Sequence, residues 1–244
     1  MPRPVILIAG GSRGIGAATA RLAAARGYDV AINFRSNAAA AADIVAAVRA
    51  AGAAAVALPG DMAKEEDILR VYEEAGQLGP VTHVVHCAGV TGRNSRLDAA
   101  ATPVIRDAFE VNAFGALILL RTAIRAMSTR HGGKGGAIVL LSSIAARLGG
   151  TNEYVWYAAA KAAVEAMTVG AAREVAKEGI RINAVAPGPT DTEIHEPGRL
   201  DRILPTLPMG RVGRPEEVAE AILFLLSDAA SNITGSVLSV AGGR

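Results

Sequence analysis

The sequence is short of cysteine, aromatic side chains and net charge, and each shortage excludes a class of protein. One cysteine in 244 residues cannot build a disulfide scaffold, and four scattered histidines offer no metal-ligand spacing. A net charge of +2 gives no electrostatic case for a nucleic-acid or acidic-membrane partner. The longest apolar stretch, residues 113–120, is far too short to span a membrane.

Apolar residues are nevertheless abundant, and most of them are small or branched. Hydrophobic residues make up 51% of the chain and aromatic residues only 4%, beside 27 glycines. Such a chain can bury a substantial core, so a disordered protein is excluded, and one domain over residues 1–244 is the simplest organisation. The apolar run at residues 5–9 is too short for a secretory signal, so we expect a soluble cytoplasmic protein.

Short apolar runs alternate with longer helical patterns along the chain. The runs predict strands at residues 5–9, 30–34, 54–58, 82–86, 137–142, 181–186 and 237–240. The helical patterns lie at residues 14–26, 37–51, 64–75, 103–130, 154–178 and 215–227. Strands that are almost wholly apolar are typical of a parallel sheet buried on both faces. We therefore predict an α/β, single-domain Rossmann fold: a doubly wound, seven-stranded parallel sheet with helices on both faces.

A glycine-rich loop joins the first predicted strand to the first helix. It reads Gly10-Gly11-Ser12-Arg13-Gly14-Ile15-Gly16. Its glycines let the backbone pass close to a pyrophosphate, and the helix N-terminus offers free N–H groups and a partial positive charge. An unliganded tight turn could use the same residues, and the spacing G-x-x-x-G-x-G differs from the common dinucleotide fingerprint. The position at a strand–helix junction favours a dinucleotide site.

The end of the second strand bears on which dinucleotide is bound. It carries Arg35 and Ser36, and it lacks the carboxylate that would bind both ribose hydroxyls and repel a 2′-phosphate. Arg35, together with Arg13 from the glycine loop, can neutralise a 2′-phosphate. The alternative is that both arginines are solvated surface residues. The pattern favours NADP(H) over NAD(H).

Tyr157 and Lys161 are spaced so that both side chains lie on one face of a helix. A phenol with a reference pKa of about 10 is a poor acid–base group at neutral pH unless its anion is stabilised. A neighbouring ammonium favours the phenolate and lowers the phenol pKa toward the working range. Most such pairs are ordinary amphipathic-helix residues, so this pair needs support from its neighbours.

Two further polar positions give that support. Ser142 and Ser143 end the fifth strand at the carboxyl edge of the sheet, where ligands bind and where a hydroxyl can hold a carbonyl oxygen. Asn112 lies among apolar residues of the predicted helix 103–130 and needs a partner, either water or backbone. The competing interpretations are an ordinary cap serine and a helix-bending asparagine.

Taken in order, these residues resemble the classical short-chain dehydrogenase/reductase family over essentially the whole chain. The resemblance is to members such as 3-oxoacyl-[acyl-carrier-protein] reductase and glucose dehydrogenase-like enzymes. Each motif is weak alone, and the set is specific by order and spacing. The matching positions are Gly10, Gly14, Ile15, Gly16, Asp61, Ala88, Gly89, Asn112, Ser143, Tyr157, Lys161, Pro187, Gly188 and Thr192.

The resemblance implies a role for each residue. Tyr157 would be the acid in reduction and the base in oxidation, with Lys161 lowering its pKa and holding the nicotinamide ribose. Ser143, with Ser142 as its rival, would orient the substrate oxygen, and Asn112 would support a water that relays protons to Lys161. Tyr154 is the rival of Tyr157 but has alanine four positions on. The cofactor would also contact Asp61 and Met62 at the adenine, Ala88 and Gly89 beneath the adenosine ribose, and Pro187, Gly188, Thr190 and Thr192 at the carboxamide and pyrophosphate.

The chain departs from the family pattern at three places. Ala9 stands where threonine is usual, His86-Cys87 where Asn-Asn is usual, and Ala241 where the final motif has aspartate. In the family the threonine and the second asparagine support each other, so the first two departures can be a matched change. Nothing near Cys87 activates a nucleophile, so we expect a small buried residue there.

The implied function is an NADP(H)-dependent oxidoreductase that interconverts a ketone or aldehyde with an alcohol, without a metal. Substrate choice is expected to lie in residues 147–155 and 193–209. A 3-oxoacyl-[acyl-carrier-protein] reductase stays open, although Glu178 stands where a basic residue often helps to bind the carrier protein. An NAD-linked sugar or polyol dehydrogenase and a non-catalytic NADP-sensing protein also stay open. The family further implies a homo-oligomer, a tetramer.

Overall fold

A parallel β-sheet runs through the centre of the protein. The computed structural model describes residues 2–244, so Met1, the first residue of the predicted domain, lies outside the described residues. The strands follow the order β3-β2-β1-β4-β5-β6-β7, and all neighbours are parallel. The predicted doubly wound sheet is confirmed. The strands are β1 (Val5–Ala9), β2 (Asp29–Phe34), β3 (Ala55–Pro59), β4 (Val81–His86), β5 (Gly136–Leu141), β6 (Ile180–Pro187) and β7 (Val237–Val240).

Helices cover both faces of the sheet. Within residues 2–244 they are α1 (Gly14–Ala25), α2 (Ala38–Ala50), α3 (Glu65–Ala75), α4 (Thr102–Phe109), α5 (Gly115–Met127), α6 (Ala145–Leu148), α7 (Val155–Val175), α8 (Arg199–Ile203) and α9 (Pro215–Leu226). Helices α1, α2 and α9 pack on one face, and α3, α5 and α7 on the other. The short helices α6 and α8 were not predicted from the sequence. No helix in this part of the chain has the length and apolar character needed to cross a membrane.

The core alternates between the two faces along each strand. In β1, Leu7 contributes to the core beneath α5, whereas Ile6 and Ile8 contribute to the core beneath α1 and α9. Helix α1 presents the fully buried Ala20 and Ala23 to its neighbours. Side chains this small let helices and sheet pack at close distance, which explains why so apolar a chain needs few aromatic rings.

The helix predicted at residues 103–130 is three segments, which corrects that prediction. Helix α4 leads into a π-helical turn, Glu110–Phe114, and then into α5, which ends at Met127. The wider turn leaves the Ala108 carbonyl to accept a 2.8 Å hydrogen bond from the Asn112 side chain. Gly115 follows the turn, and a Cβ there would lie only 2.0 Å from the Met62 carbonyl oxygen. The glycine therefore lets α5 approach the loop after β3.

The strand order places a crevice at one edge of the sheet. Strands β2 and β3 follow on one side of β1, and β4 onward lie on the other side. The loops that leave β1 and β4 therefore diverge, and a ligand can bind between them at the carboxyl ends of the strands.

Candidate active site

One large cavity opens at this crevice. It has a volume of about 490 Å³ and is formed by the loops that follow β1, β2, β3, β4, β5 and β6. Every predicted site residue except Asn112 lines it. Those residues are Gly10, Ser12, Arg13, Gly14, Ile15, Gly16, Arg35, Ser36, Asp61, Met62, Ala88, Gly89, Ser143, Tyr157, Lys161, Pro187, Gly188, Thr190 and Thr192.

The glycine loop is shaped for a close backbone approach. Gly10 has a φ of +75°, and a Cβ there would lie 2.7 Å from the Ala88 nitrogen. A Cβ on Gly16 would lie 2.1 Å from the Gly10 carbonyl oxygen. Helix α1 begins without a side-chain cap at Arg13 and without an acidic residue in its first turn. Its free N–H groups and positive dipole end fit the pyrophosphate of a dinucleotide.

A residue that sequence reasoning passed over fixes the loop. Asn33, 1% exposed, accepts a hydrogen bond from the Gly10 N–H at 3.3 Å and donates to the Leu58 and Gly60 carbonyls at 3.2 and 2.9 Å. It ties the ends of β1, β2 and β3 together. A polar residue inside an otherwise apolar strand was the available signal. Beyond it, the exposed Arg35 and Ser36 stand at the cavity edge, and Arg13 lines the same cavity.

Tyr157 and Lys161 lie on the buried face of α7. The Lys161 ammonium is 5.7 Å from the Tyr157 ring centroid and donates a 2.7 Å hydrogen bond to the Leu141 carbonyl. Burial lowers the pKa of Lys161 to about 8. Burial raises the pKa of Tyr157 to about 12, against a hydrogen bond with Ser143 and the charge of Arg199, which both lower it. The lowering of the Tyr157 pKa by Lys161 that the resemblance implied is therefore not found in the free site, which holds a protonated phenol at neutral pH, the form that can donate a proton.

The two serines after β5 differ in their surroundings. Ser142 is 2% exposed, and its hydroxyl lies 3.2 Å from the Lys161 carbonyl oxygen and 3.0 Å from a Glu165 carboxylate oxygen, so it is engaged within the protein. Ser143 accepts a hydrogen bond from the Ala145 N–H at 3.2 Å and faces the Tyr157 phenol. Both serines line the cavity, but the Ser143 hydroxyl faces the phenol, whereas the Ser142 hydroxyl is engaged by groups of the protein.

Asn112 lies behind the cavity wall. Its amide donates to the Val90 and Ala108 carbonyls at 2.7 and 2.8 Å, and its oxygen accepts from the Val90 N–H at 3.2 Å. Backbone groups are thus its partners, one of the two possibilities open from the sequence. A Cβ on Gly89 would lie 2.7 Å from the Asn112 oxygen and 3.6 Å from the Lys161 nitrogen. The absence of a side chain at Gly89 therefore leaves the space that separates the Asn112 amide from the Lys161 ammonium.

At the end of β4, His86 is fully buried, whereas Cys87 is half-buried and lines the cavity, so the expectation of a buried residue at position 87 holds only in part. The Cys87 N–H donates to the Ala9 carbonyl at 2.8 Å, so backbone pairing holds the position where the family uses side chains. Burial raises the pKa of the Cys87 thiol to about 12, which leaves no thiolate at neutral pH. Burial lowers the pKa of His86 to about 3, and neither ring nitrogen has a partner. In residues 2–244, no three His, Cys, Asp or Glu side chains are grouped to hold a metal ion.

The far end of the cavity is lined by an ion-paired cluster that sequence reasoning missed. Arg199 of α8 is 5% exposed and binds Glu153 through two nitrogens, at 3.1 Å and 2.6 Å. It also donates to the Tyr154 hydroxyl and contacts His195 at 3.2 Å. Residues 147–155 and 193–209 were predicted to set substrate choice, and parts of both line the cavity. Nothing in the sequence marks Arg199 as buried.

Comparisons with known proteins decide the family. A family model described as "Enoyl-(Acyl carrier protein) reductase" matches residues 9–244. The oxidoreductase YgfF of Escherichia coli (strain K12) is 42% identical over 98% of this chain and 99% of that protein. The chain belongs to the short-chain dehydrogenase/reductase family. It is therefore an NAD(P)-dependent oxidoreductase, as the resemblance implied.

Two further relatives of the family carry informative names. "L-rhamnose 1-dehydrogenase (NAD(P)(+))" of Sphingomonas sp. (strain SKA58) is 36% identical over 98% of this chain and 94% of its own. The crystal structure of a short-chain dehydrogenase from Burkholderia cenocepacia J2315 in complex with NADP superposes with a TM-score of 0.91. It is 31% identical and covers 98% of this chain and 97% of that one.

Proposed function

We propose that this short-chain dehydrogenase/reductase uses NADPH to reduce a ketone or aldehyde to an alcohol, and NADP to run the reverse reaction. The observation that carries the proposal is that one cavity contains both a proton-transfer group and a dinucleotide-binding loop. A phenol, an ammonium and a hydroxyl, from Tyr157, Lys161 and Ser143, line it together with the glycine loop and the uncapped start of α1. Such a cavity can hold a dinucleotide and a carbonyl side by side.

The chain's own residues then supply orientation, a proton and charge stabilisation. Bound NADPH would supply the hydride that the carbonyl carbon accepts. The Ser143 hydroxyl donates a hydrogen bond to the carbonyl oxygen. Tyr157 gives its proton to that oxygen as negative charge develops, and the Lys161 ammonium stabilises the phenolate left behind. Asn112 fixes the backbone at Val90 beside Lys161.

The preference for NADP(H) rests on the end of β2. Arg35 and Ser36 are exposed at the cavity edge, and Arg13 lies at the start of α1 on the same cavity. Two guanidinium groups can bind a 2′-phosphate by charge-assisted hydrogen bonds, and a diol without that phosphate would leave them unpaired. The relative with bound NADP is consistent with this preference.

A small polar carbonyl compound, such as a sugar or hydroxy ketone, fits the lining better than a carrier-bound acyl chain. The substrate end presents the polar side chains of Tyr154, His195, Thr151 and Arg199 beside the apolar Leu148 and Ile194. Glu178, at the usual position of a carrier-binding base, accepts a 2.5 Å hydrogen bond from Ser128 and lies 3.9 Å from the Arg130 guanidinium, so its carboxylate replaces the basic group expected at that position. The name of the rhamnose-oxidising relative points the same way.

We include self-association in the proposal. Phe109, Phe114 and Leu117 are exposed along α4, the π turn and α5, and an apolar stripe of this kind suits a contact between copies. Light scattering on the purified protein would measure the mass; a homotetramer is expected, and a monomer at assay concentration would refute this part.

The test is a panel of carbonyl compounds with NADPH and with NADH, followed by absorbance of the reduced nicotinamide. Sugars, hydroxy ketones, a 3-oxoacyl thioester and an enoyl thioester should be included. We expect oxidation of NADPH with a polar carbonyl in preference to either thioester. Tight NADPH binding without turnover on any compound would instead indicate a non-catalytic NADP-sensing protein.

A further inference from the structure

The Glu153, Tyr154 and Arg199 cluster connects the segment after β6 to the start of the catalytic helix. Glu153 and Tyr154 immediately precede α7, whereas Arg199 begins α8. Two nitrogens of Arg199 bind the Glu153 carboxylate, and a further contact reaches the Tyr154 hydroxyl. A bidentate guanidinium–carboxylate pair with 5% exposure of the arginine fixes the position of both partners.

This cluster is one aromatic ring away from the proton donor. The Arg199 guanidinium carbon lies 5.1 Å from the Tyr154 ring centroid, and that ring packs edge to face on Tyr157 with centroids 5.3 Å apart. The Tyr154 ring is held between a cation and the catalytic phenol. Movement of Arg199 would therefore move the side chain against which Tyr157 packs.

We propose that Arg199 is a positioning residue for Tyr157: held by Glu153, it fixes the Tyr154 ring against the phenol and places a guanidinium charge over that ring. The inference rests on the proposed role of Tyr157 and adds a residue outside the Tyr, Lys, Ser and Asn set. It also explains why a charged side chain is buried in a helix of only five residues.

The charges around Tyr157 support an electrostatic contribution from Arg199. Burial raises the Tyr157 pKa, and Ser143 and then Arg199 oppose that rise. Lys161 lies 5.7 Å from the ring centroid on the same helix, but burial lowers its pKa to about 8, so Lys161 is neutral in the pH range where Tyr157 titrates. His195 contacts Arg199, and burial lowers its pKa, so it is neutral at neutral pH. Although burial raises the Glu153 pKa, hydrogen bonds from Arg199 hold it below its ordinary value, so Glu153 is charged and partly offsets Arg199.

The electrostatic contribution predicts opposite effects for the two partners of the ion pair. Arg199→Met removes the cation, so the pKa of Tyr157 should rise, by roughly half a unit or more. Glu153→Gln removes the offsetting anion and leaves the cation in place, so the pKa of Tyr157 should fall. Arg199→Lys retains the charge and should shift the pKa less than Arg199→Met does. Simple loosening of the cluster would shift the pKa in one direction for both partners.

The experiment uses the scarcity of tyrosine. The chain has four tyrosines, so protein made with fluorinated tyrosine gives few fluorine NMR resonances. Fluorinated phenols also ionise at lower pH than tyrosine does. The resonance that is missing in Tyr157→Phe belongs to Tyr157. The chemical shift of that resonance is followed against pH in the full chain without substrate or cofactor. Arg202→Met is the matched control, because Arg202 also contacts Glu153, at 3.3 Å, but is exposed. The titration midpoint of Tyr157 in Arg202→Met should equal that in the wild type.

The outcomes separate this inference from the proposed function. A higher Tyr157 pKa in Arg199→Met together with a lower Tyr157 pKa in Glu153→Gln supports the inference, even if none of the carbonyl compounds is reduced. The inference is overturned if the Tyr157 pKa stays unchanged in one or both variants, or if it moves in the same direction in both, even if a carbonyl compound is reduced. If Arg199→Met does not fold, Glu153→Gln and Arg199→Lys decide: an unchanged or raised midpoint in Glu153→Gln overturns the proposal.

Discussion

The side-chain oxygen of Asn112 stands 2.7 Å from the point where a Cβ on Gly89 would lie. The same point is 3.6 Å from the Lys161 nitrogen. Asn112 is fully buried and is held by backbone hydrogen bonds on both sides, so it cannot swing away from a larger neighbour. Glycine at position 89 is therefore a requirement of the site.

Gly89→Ala should push Asn112 and Val90 away from Lys161. We expect a loss of roughly 1–3 kcal/mol in unfolding free energy, typical of an overpacked site, together with a lower kcat for carbonyl reduction. Gly170→Ala is the control: nothing lies within 4 Å of the added methyl, and it should stabilise α7 by about 0.5–1 kcal/mol. Chemical denaturation and steady-state rates measure both. Wild-type rates in Gly89→Ala would contradict the packing argument.

This asparagine also illustrates where sequence reasoning ends. Its importance could be inferred from a polar residue among apolar ones, and the strands could be placed because buried parallel strands are nearly continuous apolar runs. The π turn that carries it could not be predicted, because residues 110–114 keep a helical pattern, and the close approach of Gly115 to the Met62 carbonyl after β3 is a tertiary contact that no local pattern reports. The sequence therefore predicted a single helix over residues 103–130.

Arg199 marks a second limit. Its partner Glu153 is 46 positions away in the chain, and an arginine in a segment rich in charge and proline reads as surface. Its burial depends on the pairing of two loops across the cavity, which no local pattern reports. The glycine loop and the residues of α7 were accessible from the sequence because helix and turn geometry alone bring them together.

Tyr157→Phe should strongly reduce turnover while leaving the cofactor site intact. It removes the proton donor but keeps the ring that packs on Tyr154, so kcat/KM should fall by roughly 10²–10⁴-fold with little change in the Kd for NADPH. Tyr72→Phe is the matched control, because the Tyr72 hydroxyl is buried without a partner and its removal costs no hydrogen bond. Retained turnover in Tyr157→Phe would assign the proton to another group.

Substitution of the two serines after β5 should have different effects, one on the reaction rate and the other on stability. Ser143→Ala removes the hydroxyl that faces Tyr157 and should lower kcat/KM by roughly 10²–10³-fold, comparable to loss of an oxyanion donor. Ser142→Ala removes the contacts with the Lys161 carbonyl and Glu165, so it should cost about 1 kcal/mol of stability with a smaller effect on rate. Thermal unfolding and steady-state kinetics distinguish them. The reverse pattern would assign the substrate oxygen to Ser142.

Arg35→Asp should move the cofactor preference toward NAD(H). A charge-assisted contact with a 2′-phosphate is lost, and a carboxylate that repels the phosphate replaces it. The ratio of kcat/KM for NADPH over NADH should fall by roughly 10–100-fold, the equivalent of about 1.5–3 kcal/mol. Arg21→Asp makes the same charge change at an exposed position of α1 outside the cavity and should leave the ratio unchanged. An unaltered ratio in Arg35→Asp would place the phosphate elsewhere.

Stability should depend on pH through the buried ammonium of Lys161. Burial lowers its pKa from an ordinary 10.5 to about 8 in the folded protein. Between these values the unfolded chain binds more protons than the folded one, so the Lys161 contribution to unfolding free energy rises as pH increases from about 8 toward 10.5. Tyr157 acts oppositely at higher pH, because burial raises its pKa from 10 to about 12 and the folded state keeps the proton longer.

The measurement is the difference in unfolding free energy between wild type and Lys161→Met, taken by denaturant titration in the lower part of that window, before Tyr157 titrates. The wild type should gain stability relative to the variant as pH rises from about 8. Lys177→Met, at an exposed position beyond the end of α7, serves as the control and should show the pH dependence of the wild type. A difference that stays constant with pH, or that falls, would mean that folding leaves the Lys161 ammonium solvated and unable to discharge near neutral pH.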